Sequence, residues 1–503
     1  MQSPRVRWGL SGLLGAAGAV GVGELFAGLS TAIPSPLAAV GGVVVDRSPS
    51  WLKEFAIATF GTADKTALTI GTLALAAVLG WLAGAASRGR SRVVGFVYGG
   101  FGALGVWAAL GEPDAEAVMV IGATALAVAS GVAGFVVLVR SAPPAQPTDG
   151  VPDDRSRRQF LGMAAAAGVV AVTAGVIGRR LSTRTLPPPP ITIGPVLHPA
   201  TVPGPQHAFP LEGLTPIVVP NSQFYRIDTA LVVPRVDPAR WSLRVGGLVD
   251  SPLELTYDDL LEMDLVEDHV TIACVSNEVG GDLVGNARWT GVRLVEVLER
   301  AGLQPGASQL VGRSVDGFTV GFPPDLGFDG REPMIALAMN GDPLPAAHGF
   351  PARLIVPGLY GYVSATKWLS EIELTTWDAF DAYWIRRGWA KQAPVKTQSR
   401  IDLPRREVAA GEVAVAGVAW APRHGVAAVE LAVDGGEWIP CELTEPLSSH
   451  AWVQWRGSVQ LSPGTHGIAV RATDGTGYVQ TSSRVAPAPD GATGHHTVRI
   501  DAR

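Results

Sequence analysis

Five long apolar segments fill the first 180 residues and limit what this chain can fold into. They cover approximately residues 8–30, 67–86, 93–110, 117–139 and 160–178. A bilayer core is crossed by about 20 helical residues, and a helix satisfies its own backbone polar groups in lipid. The sequence therefore predicts a five-helix transmembrane region over residues 1–180, in contact with membrane lipid. The mean hydropathy of +0.25 agrees with that prediction.

The charges beside these segments predict one orientation. Positive flanks stay on the cytoplasmic side of a membrane. One set of segment ends carries Arg5, Arg7, Arg88, Arg90, Arg92, Arg140, Arg155, Arg157 and Arg158, and the other carries Glu112, Asp114 and Glu116. Arg47, Lys53, Lys65, Arg179 and Arg180 are exceptions to the pattern. We expect a cytoplasmic amino terminus and an extracytoplasmic carboxy-terminal part in a multi-pass protein of the cell membrane.

The sequence also excludes several cofactors and partners. The first histidine is His198, beyond every apolar segment, so the helices cannot ligate a bis-histidine haem. No Cys-x-x-Cys-His motif for c-type haem is present in the sequence. A net charge of -6 without a basic tract argues against nucleic acid. We expect no haem, and electrons exchanged with a separate electron-transfer protein or a quinone-linked partner.

Composition changes twice after the apolar region. A proline-rich stretch over 181–214 predicts a stiff extended linker. Residues 215–395 mix short apolar runs with amphipathic helical stretches, as in a mixed α+β domain. Short strand-like runs over 396–503 are separated by turns such as Asp434-Gly-Gly436 and Pro463-Gly464, which predicts an antiparallel β-sandwich.

Cys274 is one of only two cysteines in 503 residues. A β-branched run delivers it to a turn marked by Asn277 and two glycines. A soft thiolate held on stiff backbone is suited to a transition metal, whereas a buried free cysteine can also act as a small hydrophobe. Cys441, within the predicted sandwich, is expected to be structural.

The segment Thr271-Ile-Ala-Cys-Val-Ser-Asn-Glu-Val-Gly-Gly281 resembles the molybdenum-ligand region of the sulfite oxidase family of molybdopterin oxidoreductases. Further blocks resemble the family in the same order, over roughly residues 215–500: Asn221-Ser-Gln-Phe-Tyr-Arg-Ile-Asp228, Trp241 to Gly247, Met339 to Pro345, His348 to Pro357 and Gly361 to Trp368. The resemblance implies a molybdopterin-binding domain over 215–395. It also implies an immunoglobulin-like dimerisation domain over 396–503, and hence a homodimer.

The resemblance also implies the cofactor and the reaction. One molybdenum-molybdopterin per chain would use Cys274 as its catalytic metal ligand, for two-electron oxygen-atom transfer with a small-molecule substrate. A pterin phosphate is dianionic and requires cationic or amide donors. The positions that match the family's cofactor-binding residues are Asn221, Tyr225, Arg226, Asp316, His348, Arg353, Ala365, Thr366 and Lys367. The alternative is a cofactor-free descendant that acts as a binding or scaffolding protein.

The fifth apolar segment follows Ser156-Arg-Arg-Gln-Phe-Leu161, which resembles a twin-arginine export signal placed inside the chain. Two arginines before a membrane helix can equally be positive-inside charge. A protein that acquires molybdopterin in the cytoplasm has to cross folded, which favours export by the twin-arginine machinery. No small-residue cleavage site follows, so we expect the helix to remain as an anchor.

At the positions expected to contact the substrate, the sequence differs from that of the family's sulfite enzymes. Glu278 and Val279 stand where the family's sulfite enzymes carry arginines, and Phe318 stands where they carry a tyrosine. A carboxylate near the metal would repel an oxyanion. We therefore expect poor sulfite oxidation and a neutral or cationic substrate such as a sulfoxide or an amine-bearing compound. Arg226 or Arg288 could compensate for the missing cations.

Overall fold

The structure is a computed structural model that describes residues 4–49, 52, 55, 59–60, 64–112, 115–141, 154–183, 193–405 and 407–503. Two compact units are present: Met1–Leu186 with Ala230–Arg235, and Pro187–Thr229 with Val236–Arg503. Residues 184–192 of the predicted linker lie outside the described residues, as do Lys53 and Asp114. The side chains of Arg155 and Arg157 are likewise not described.

The first unit is helical. Its helices are α1 (Pro4–Leu29), α2 (Pro36–Arg47), α3 (Asp64–Ser87), α4 (Ser91–Ala109), α5 (Ala117–Arg140) and α6 (Asp154–Thr183). Five of these helices, all except α2, are long and apolar enough to cross a membrane. The five predicted apolar helices are therefore confirmed. The 12-residue α2 is about 18 Å long, too short to cross a hydrocarbon core of about 30 Å, and the sequence analysis missed it.

Helix α1 packs against α3, α5 and α6. Small residues bring the backbones close together: a methyl group added to Gly12 would overlap the carbonyl oxygen of Gly80 on α3. A methyl added to Gly21 would overlap the carbonyl oxygen of Ala171 on α6. Close backbone approach through small residues is a typical way for helices to associate in lipid.

Glu24 is buried inside the apolar helix α1, with 3% of its surface exposed. Its Oε1 accepts hydrogen bonds from Ser35 Oγ at 2.7 Å and from the backbone N–H of Leu37 at 3.2 Å. Ser35 Oγ in turn accepts from the N–H of Ala38 at 3.1 Å. The carboxylate therefore caps the amino terminus of α2, where unpaired N–H groups favour an anion.

Residues 230–235 pack with the helices rather than with the mixed domain to which the sequence assigned them. The guanidinium of Arg235 donates to the carbonyl oxygens of Ala27 and Leu181, each at 3.2 Å. The ammonium of Lys65 donates to the carbonyl oxygen of Ala230 at 2.6 Å. The two bonds from Arg235 satisfy carbonyl groups near helix ends, which otherwise have no partner within the helix.

The second unit begins with two mixed sheets. The first sheet has the order β1-β4-β5-β8-β10, with β9 paired to β8, and the second has the order β3-β2-β11-β6-β7. Three short helices connect the strands, so the mixed α+β fold is confirmed. The bounds are β1 (Val196–His198), β2 (Ser242–Gly247), β3 (Leu253–Thr256), α7 (Tyr257–Leu261), β4 (Leu265–Ala273), β5 (Val284–Arg293), α8 (Leu294–Ala301), β6 (Gln309–Ser314), β7 (Thr319–Phe322), β8 (Met334–Met339), β9 (Asp342–Pro343), β10 (Arg353–Ile355), α9 (Gly361–Ser364) and β11 (Leu369–Thr375).

Burial explains these elements. All six residues of β8 are buried, as expected for a central strand covered on both faces. Helix α8 buries Leu294, Val297, Leu298 and Ala301, which is the i, i+3, i+4, i+7 pattern of one helical face. Both elements contribute to a single apolar core that supports the loops at the strand ends.

Two further sheets complete the second unit, with orders β12-β14-β18-β17 and β13-β20-β19-β15-β16. Both sheets contribute to one apolar core that includes Val415, Leu431, Trp455 and Val470. The immunoglobulin-like assignment and the boundary at residue 396 stay predictions. The strands are β12 (Gln398–Leu403), β13 (Glu407–Val408), β14 (Gly411–Trp420), β15 (Val426–Val433), β16 (Ile439–Pro440), β17 (Glu442–Leu443), β18 (Val453–Leu461), β19 (Gly464–Asp474) and β20 (His496–Ala502).

Candidate functional site

A pocket in the second unit collects side chains from loops that follow several strands. Six residues predicted from the sequence line it: Tyr225, Cys274, Asp316, Arg353, Ala365 and Lys367. The other predicted residues, Asn221, Arg226, His348 and Thr366, are not part of its lining. The lining is completed by Ile227, Asp228, Thr229, Val275, Ser276, Ser314, Phe318, Gly361, Tyr362, Trp368, Trp384 and Trp389.

The loop after β4 presents Cys274 to the pocket. The N–H of Cys274 donates to the carbonyl oxygen of Leu283 at 2.9 Å, and the N–H of Asn277 donates to the carbonyl oxygen of Cys274 at 3.0 Å. The buried side chain of Asn277 accepts from the N–H of Leu283 at 2.9 Å. Gly280 has a φ of 81°, which favours glycine. Strand pairing and these bonds hold the thiol in place.

The Cys274 thiol has a raised pKa because it is surrounded by protein, although hydrogen bonds from Ser276 oppose that effect. A metal cation would favour the thiolate, which is the ligating form. Cys441 lies between β16 and β17, away from the pocket lining. Among the residues that the structure describes, no group of three or more His, Cys, Asp or Glu side chains could hold a metal ion.

Arg353 is the first residue of β10 and lines the pocket beside the Trp289 ring. Its guanidinium carbon lies 5.1 Å from the ring centroid of Trp289, and Nη1 donates to the carbonyl oxygen of His348 at 3.2 Å. Burial lowers the pKa of Arg353 to about 10, so that the side chain remains a cation at neutral pH. No carboxylate pairs with Arg353 at ion-pair distance among the described residues, which leaves its charge available to an anion.

His348 is buried beside Arg353. Its Nε2 lies 2.8 Å from the carbonyl oxygen of Asn221, and its ring meets Phe224 edge to face at 5.7 Å. Burial, with help from the Arg353 charge, lowers the pKa of His348 to about 4. The imidazole is therefore neutral at pH 7. Because a carbonyl oxygen only accepts, Nε2 carries the proton and Nδ1 is left as an acceptor.

Three buried polar atoms of this region lack a hydrogen-bond partner among the described residues: His348 Nδ1, Arg353 Nε and Thr366 Oγ1. A buried polar atom without a partner costs about 1–3 kcal/mol. Of these three atoms only Arg353 Nε belongs to a side chain that lines the pocket, where Lys367 and Cys274 also lie. A ligand that carries a phosphate would pair with the two cations and satisfy that donor. The cations and the thiol of the lining therefore fit a pterin cofactor that binds a metal.

Asp228 is a pocket residue whose role the sequence analysis did not assign. Its Oδ2 accepts from Lys367 Nζ at 3.0 Å and from Arg226 Nε at 2.8 Å. Lys367 Nζ also donates to the carbonyl oxygen of Ala347 at 3.3 Å. Burial lowers the pKa of Lys367 to about 8, and the Asp228 charge opposes that fall. Asp228 is the last residue of the segment Asn221–Asp228, which resembles the family. In the sequence, only this position indicated a role for Asp228.

Asp228→Asn is expected to lower the pKa of Lys367 further below its usual range, because burial remains while the opposing carboxylate is lost. Lys367 would then lose its proton at a lower pH than the present value of about 8. Acetylation rates measured against pH by peptide mass spectrometry would show the shift, and Asp228→Glu should restore the original value. Exposed Lys391, paired with Asp381 at 2.8 Å, serves as the internal control. An unchanged Lys367 midpoint in Asp228→Asn would contradict the assignment.

Asp316 lies in the turn between β6 and β7. Its Oδ1 accepts from the N–H of Phe318 at 3.2 Å, and its Oδ2 accepts from Thr229 Oγ1 at 3.5 Å. Burial raises the pKa of this carboxyl group, opposed by hydrogen bonds from Ser314 and Phe318. Asp316 is therefore a pocket carboxyl group that holds its proton more strongly than an exposed aspartate does.

The side chain of Asn221 forms its hydrogen bonds outside the pocket. Its Nδ2 donates to the carbonyl oxygen of Met339 at 3.1 Å, and its Oδ1 accepts from Asn340 Nδ2 at 2.8 Å. Its own carbonyl oxygen holds His348. Arg226 is also turned away, with 41% of its side chain exposed. Arg226 contacts the lining residue Asp228, whereas Asn221 holds His348, and neither Arg226 nor Asn221 lines the pocket.

Glu278 and Val279, on which the sequence-based substrate prediction rested, do not line the pocket, and Glu278 is exposed. Arg288, proposed as a compensating cation, is also absent from the lining and lies 3.8 Å from Glu267. The proposed repulsion by Glu278 therefore has no support in the pocket itself. Phe318 does line it. Trp384 and Trp389, to which the sequence analysis assigned no role, line the pocket as well.

Comparisons with known proteins agree with this geometry. Residues 230–384 match a family model described as the oxidoreductase molybdopterin binding domain, a range that contains Cys274, Asp316, His348 and Arg353. The chain is 35% identical over 153 residues to the uncharacterized oxidoreductase YuiH of Bacillus subtilis, and the alignment covers 30% of this chain and 74% of that protein.

Two further comparisons extend beyond that range. The chain is 30% identical over 292 residues to the mitochondrial sulfite oxidase of Homo sapiens, covering 46% of this chain and 51% of that protein. Among solved structures, the sulfane dehydrogenase SoxCD from Paracoccus pantotrophus aligns with a TM-score of 0.51 and 23% identity, over 59% of this chain and 83% of that chain. This structural likeness supports the fold of the second unit.

Proposed function

The chain belongs to the sulfite oxidase family of molybdopterin oxidoreductases, and we propose that it performs two-electron oxygen-atom transfer at a molybdenum ligated by Cys274. The observation that carries this proposal is the convergence of Cys274, Arg353 and Lys367 on one pocket. When bound, the molybdenum-molybdopterin group supplies the two-electron change that the reaction requires.

Different residues of the chain would bind different parts of the molybdenum-molybdopterin group. Cys274 offers the thiolate from a loop fixed by backbone hydrogen bonds. Arg353 and Lys367 supply the positive charge that a phosphate needs. Arg353 Nε supplies a buried donor for that group, and pairing it would remove its desolvation cost.

Asp316 and Lys367 are pocket groups whose pKa values are shifted in opposite directions. Burial raises the pKa of Asp316 and lowers that of Lys367 to about 8. Both shifts bring the groups closer to the working range of a general acid or base. Oxygen-atom transfer that uses water as the source or sink of the oxygen moves two protons, so two such groups are suited to the reaction.

We further propose that the enzyme is anchored in the cell membrane, with a cytoplasmic amino terminus and an extracytoplasmic second unit. Support comes from the charges at the helix ends: Arg88 and Arg90 follow α3, Arg140 ends α5, and Glu112 and Glu116 lie between α4 and α5. The twin-arginine motif stands at the start of α6. Electrons would pass to a separate protein or a quinone-linked partner, and residues 396–503 would form an immunoglobulin-like dimerisation domain.

Molybdenum analysis tests the proposed function. Full-length protein purified from a molybdopterin-competent host should contain molybdenum and pterin at about one per chain. Arg353→Met should lower that content roughly tenfold or more, because leaving a buried charge without its partner costs about 2–5 kcal/mol. Arg244→Met, at an arginine with 65% of its side chain exposed, is the matched control.

The alternative of a cofactor-free binding or scaffolding protein predicts a different result. Wild-type protein without molybdenum or pterin, or equal metal content in Arg353→Met and wild type, would contradict the proposed function. Should Arg353→Met fail to fold, Arg353→Lys keeps the charge and removes the fork of donors, so a partial loss of metal is expected from it.

A further inference from the structure

Five aromatic side chains, here named the aromatic wall, form a chain of ring contacts that reaches the pocket: Phe318, Tyr383, Trp384, Trp389 and Tyr362. Consecutive ring centroids are 5.6, 5.2, 6.4 and 5.8 Å apart in that order. All except Tyr383 line the pocket. The interplanar angles of 54–79° correspond to the tilted and edge-to-face contacts that aromatic rings favour.

The aromatic wall is held in place by its own polar contacts. Tyr362 Oη donates to the carbonyl oxygen of Ala390 at 2.6 Å, and the N–H of Trp389 donates to the carbonyl oxygen of Trp384 at 3.2 Å. The guanidinium of Arg387 covers Tyr383 at 3.6 Å. Trp384 and Trp389 nevertheless keep part of their surface accessible. The rings are therefore ordered and still present apolar surface to a ligand, so that little entropy would be lost on binding.

The charges of the pocket do not favour an anionic substrate. Its lining contains two carboxylates, Asp228 and Asp316, and two cations, Arg353 and Lys367. Lys367 is paired with Asp228 at 3.0 Å, so its charge is already partly offset. A bound phosphate would engage the two cations. Among the residues that the structure describes, no further lysine or arginine lines the pocket, so a second anion would enter without a cationic partner there.

We infer that the aromatic wall binds an uncharged aryl group of the substrate, so that the enzyme acts on a neutral aryl sulfoxide or its thioether. This inference rests on the proposed function. The two compounds differ by one oxygen atom: reduction of the sulfoxide consumes two electrons and two protons and releases water, and oxidation of the thioether is the reverse. The electrons would come from, or go to, an external one-electron carrier protein. Aryl rings gain from tilted contacts with Trp384 and Trp389, whereas sulfite gains nothing from them.

Binding and turnover of three probes test the inference on the full-length, molybdenum-loaded protein. Equilibrium dialysis and steady-state assays would compare methyl phenyl sulfoxide, dimethyl sulfoxide and sulfite. We expect methyl phenyl sulfoxide to bind more tightly than dimethyl sulfoxide. Trp384→Leu or Trp389→Leu should lower that preference roughly 3- to 10-fold, since an aromatic pair contributes about 0.5–1.5 kcal/mol. Trp384→Phe should restore part of it.

Trp438→Leu is the matched control, because Trp438 packs against His495 at 5.2 Å outside the pocket lining. It should leave the aryl preference unchanged. An aryl preference that persists in both Trp384→Leu and Trp389→Leu, or faster turnover of sulfite than of methyl phenyl sulfoxide, would overturn the inference while the proposed function stands. A protein without molybdenum that still binds methyl phenyl sulfoxide more tightly than dimethyl sulfoxide, through the aromatic wall, would contradict the proposed function. That result would still support the aromatic wall as an aryl-binding surface.

Discussion

Replacing Cys274 by serine should abolish turnover while the protein still inserts into the membrane. A serine oxygen is a harder ligand than a thiolate and would shift the potential of the metal. Changes outside the ligand shell of a metal already cost about 10- to 100-fold in affinity or activity, so we expect the loss here to exceed roughly 100-fold. The measurement is steady-state turnover per molybdenum, together with the sulfur-to-metal charge-transfer absorption, which should disappear.

Cys441→Ser provides the control for the same chemical change at the second cysteine. Cys441 is partly buried beside Leu431 and Gly457 in the paired carboxy-terminal sheets, so its substitution should leave both turnover and absorption unchanged. Comparable activity of Cys274→Ser and wild type, at equal molybdenum content, would show that Cys274 is not the metal ligand.

Substituting both Arg157 and Arg158 by lysine should keep the second unit in the cytoplasm. Charge is conserved, so under the proposed topology the first four apolar helices should insert as before. A twin-arginine signal, however, requires arginine itself. External protease should cleave the second unit in cells that produce the wild type, and it should spare that unit in cells that produce the double variant.

A second pair of adjacent arginines, Arg179 and Arg180, lies near the end of α6. Lysine at both of these positions makes the same chemical change without altering the motif, so the second unit should remain accessible to protease. Equal accessibility in the Arg157/Arg158 variant would mean that the second unit is exported without the motif, and that the two arginines act only as positive-inside charge.

Some of the site residues could be predicted from the sequence and others could not. Cys274, Arg353 and Lys367 were identified because their neighbours matched family blocks, and the structure brings all three to one pocket. Asp228 lies in a segment that resembles the family, but the sequence analysis assigned it no role because its partner Lys367 is 139 residues away. Glu278 shows the opposite error, since closeness to Cys274 in the sequence did not place it in the pocket.

Local patterns decided the parts of the fold that depend on local physics. The five apolar helices followed from segment length and composition, because a lipid environment leaves a long apolar segment few structures other than a helix. Helix α2 was missed because 12 residues of mixed small and apolar character do not identify their own partner. Its amino terminus is capped by Glu24 of another helix, and a helix so short gains most of its stability from such tertiary contacts.

By itself the sequence determined the five apolar helices, the mixed α+β fold and several of the side chains that line the pocket, because these depend on composition and on short motifs. Only the tertiary structure decided which side chains meet. The Asp228–Lys367 ion pair joins residues 139 positions apart, and the Phe318–Tyr383 contact of the aromatic wall joins residues 65 positions apart (383 minus 318). Such contacts are fixed by strand order and by the loops at strand ends, and neither can be obtained from local propensity, since strand pairing depends on packing against distant neighbours.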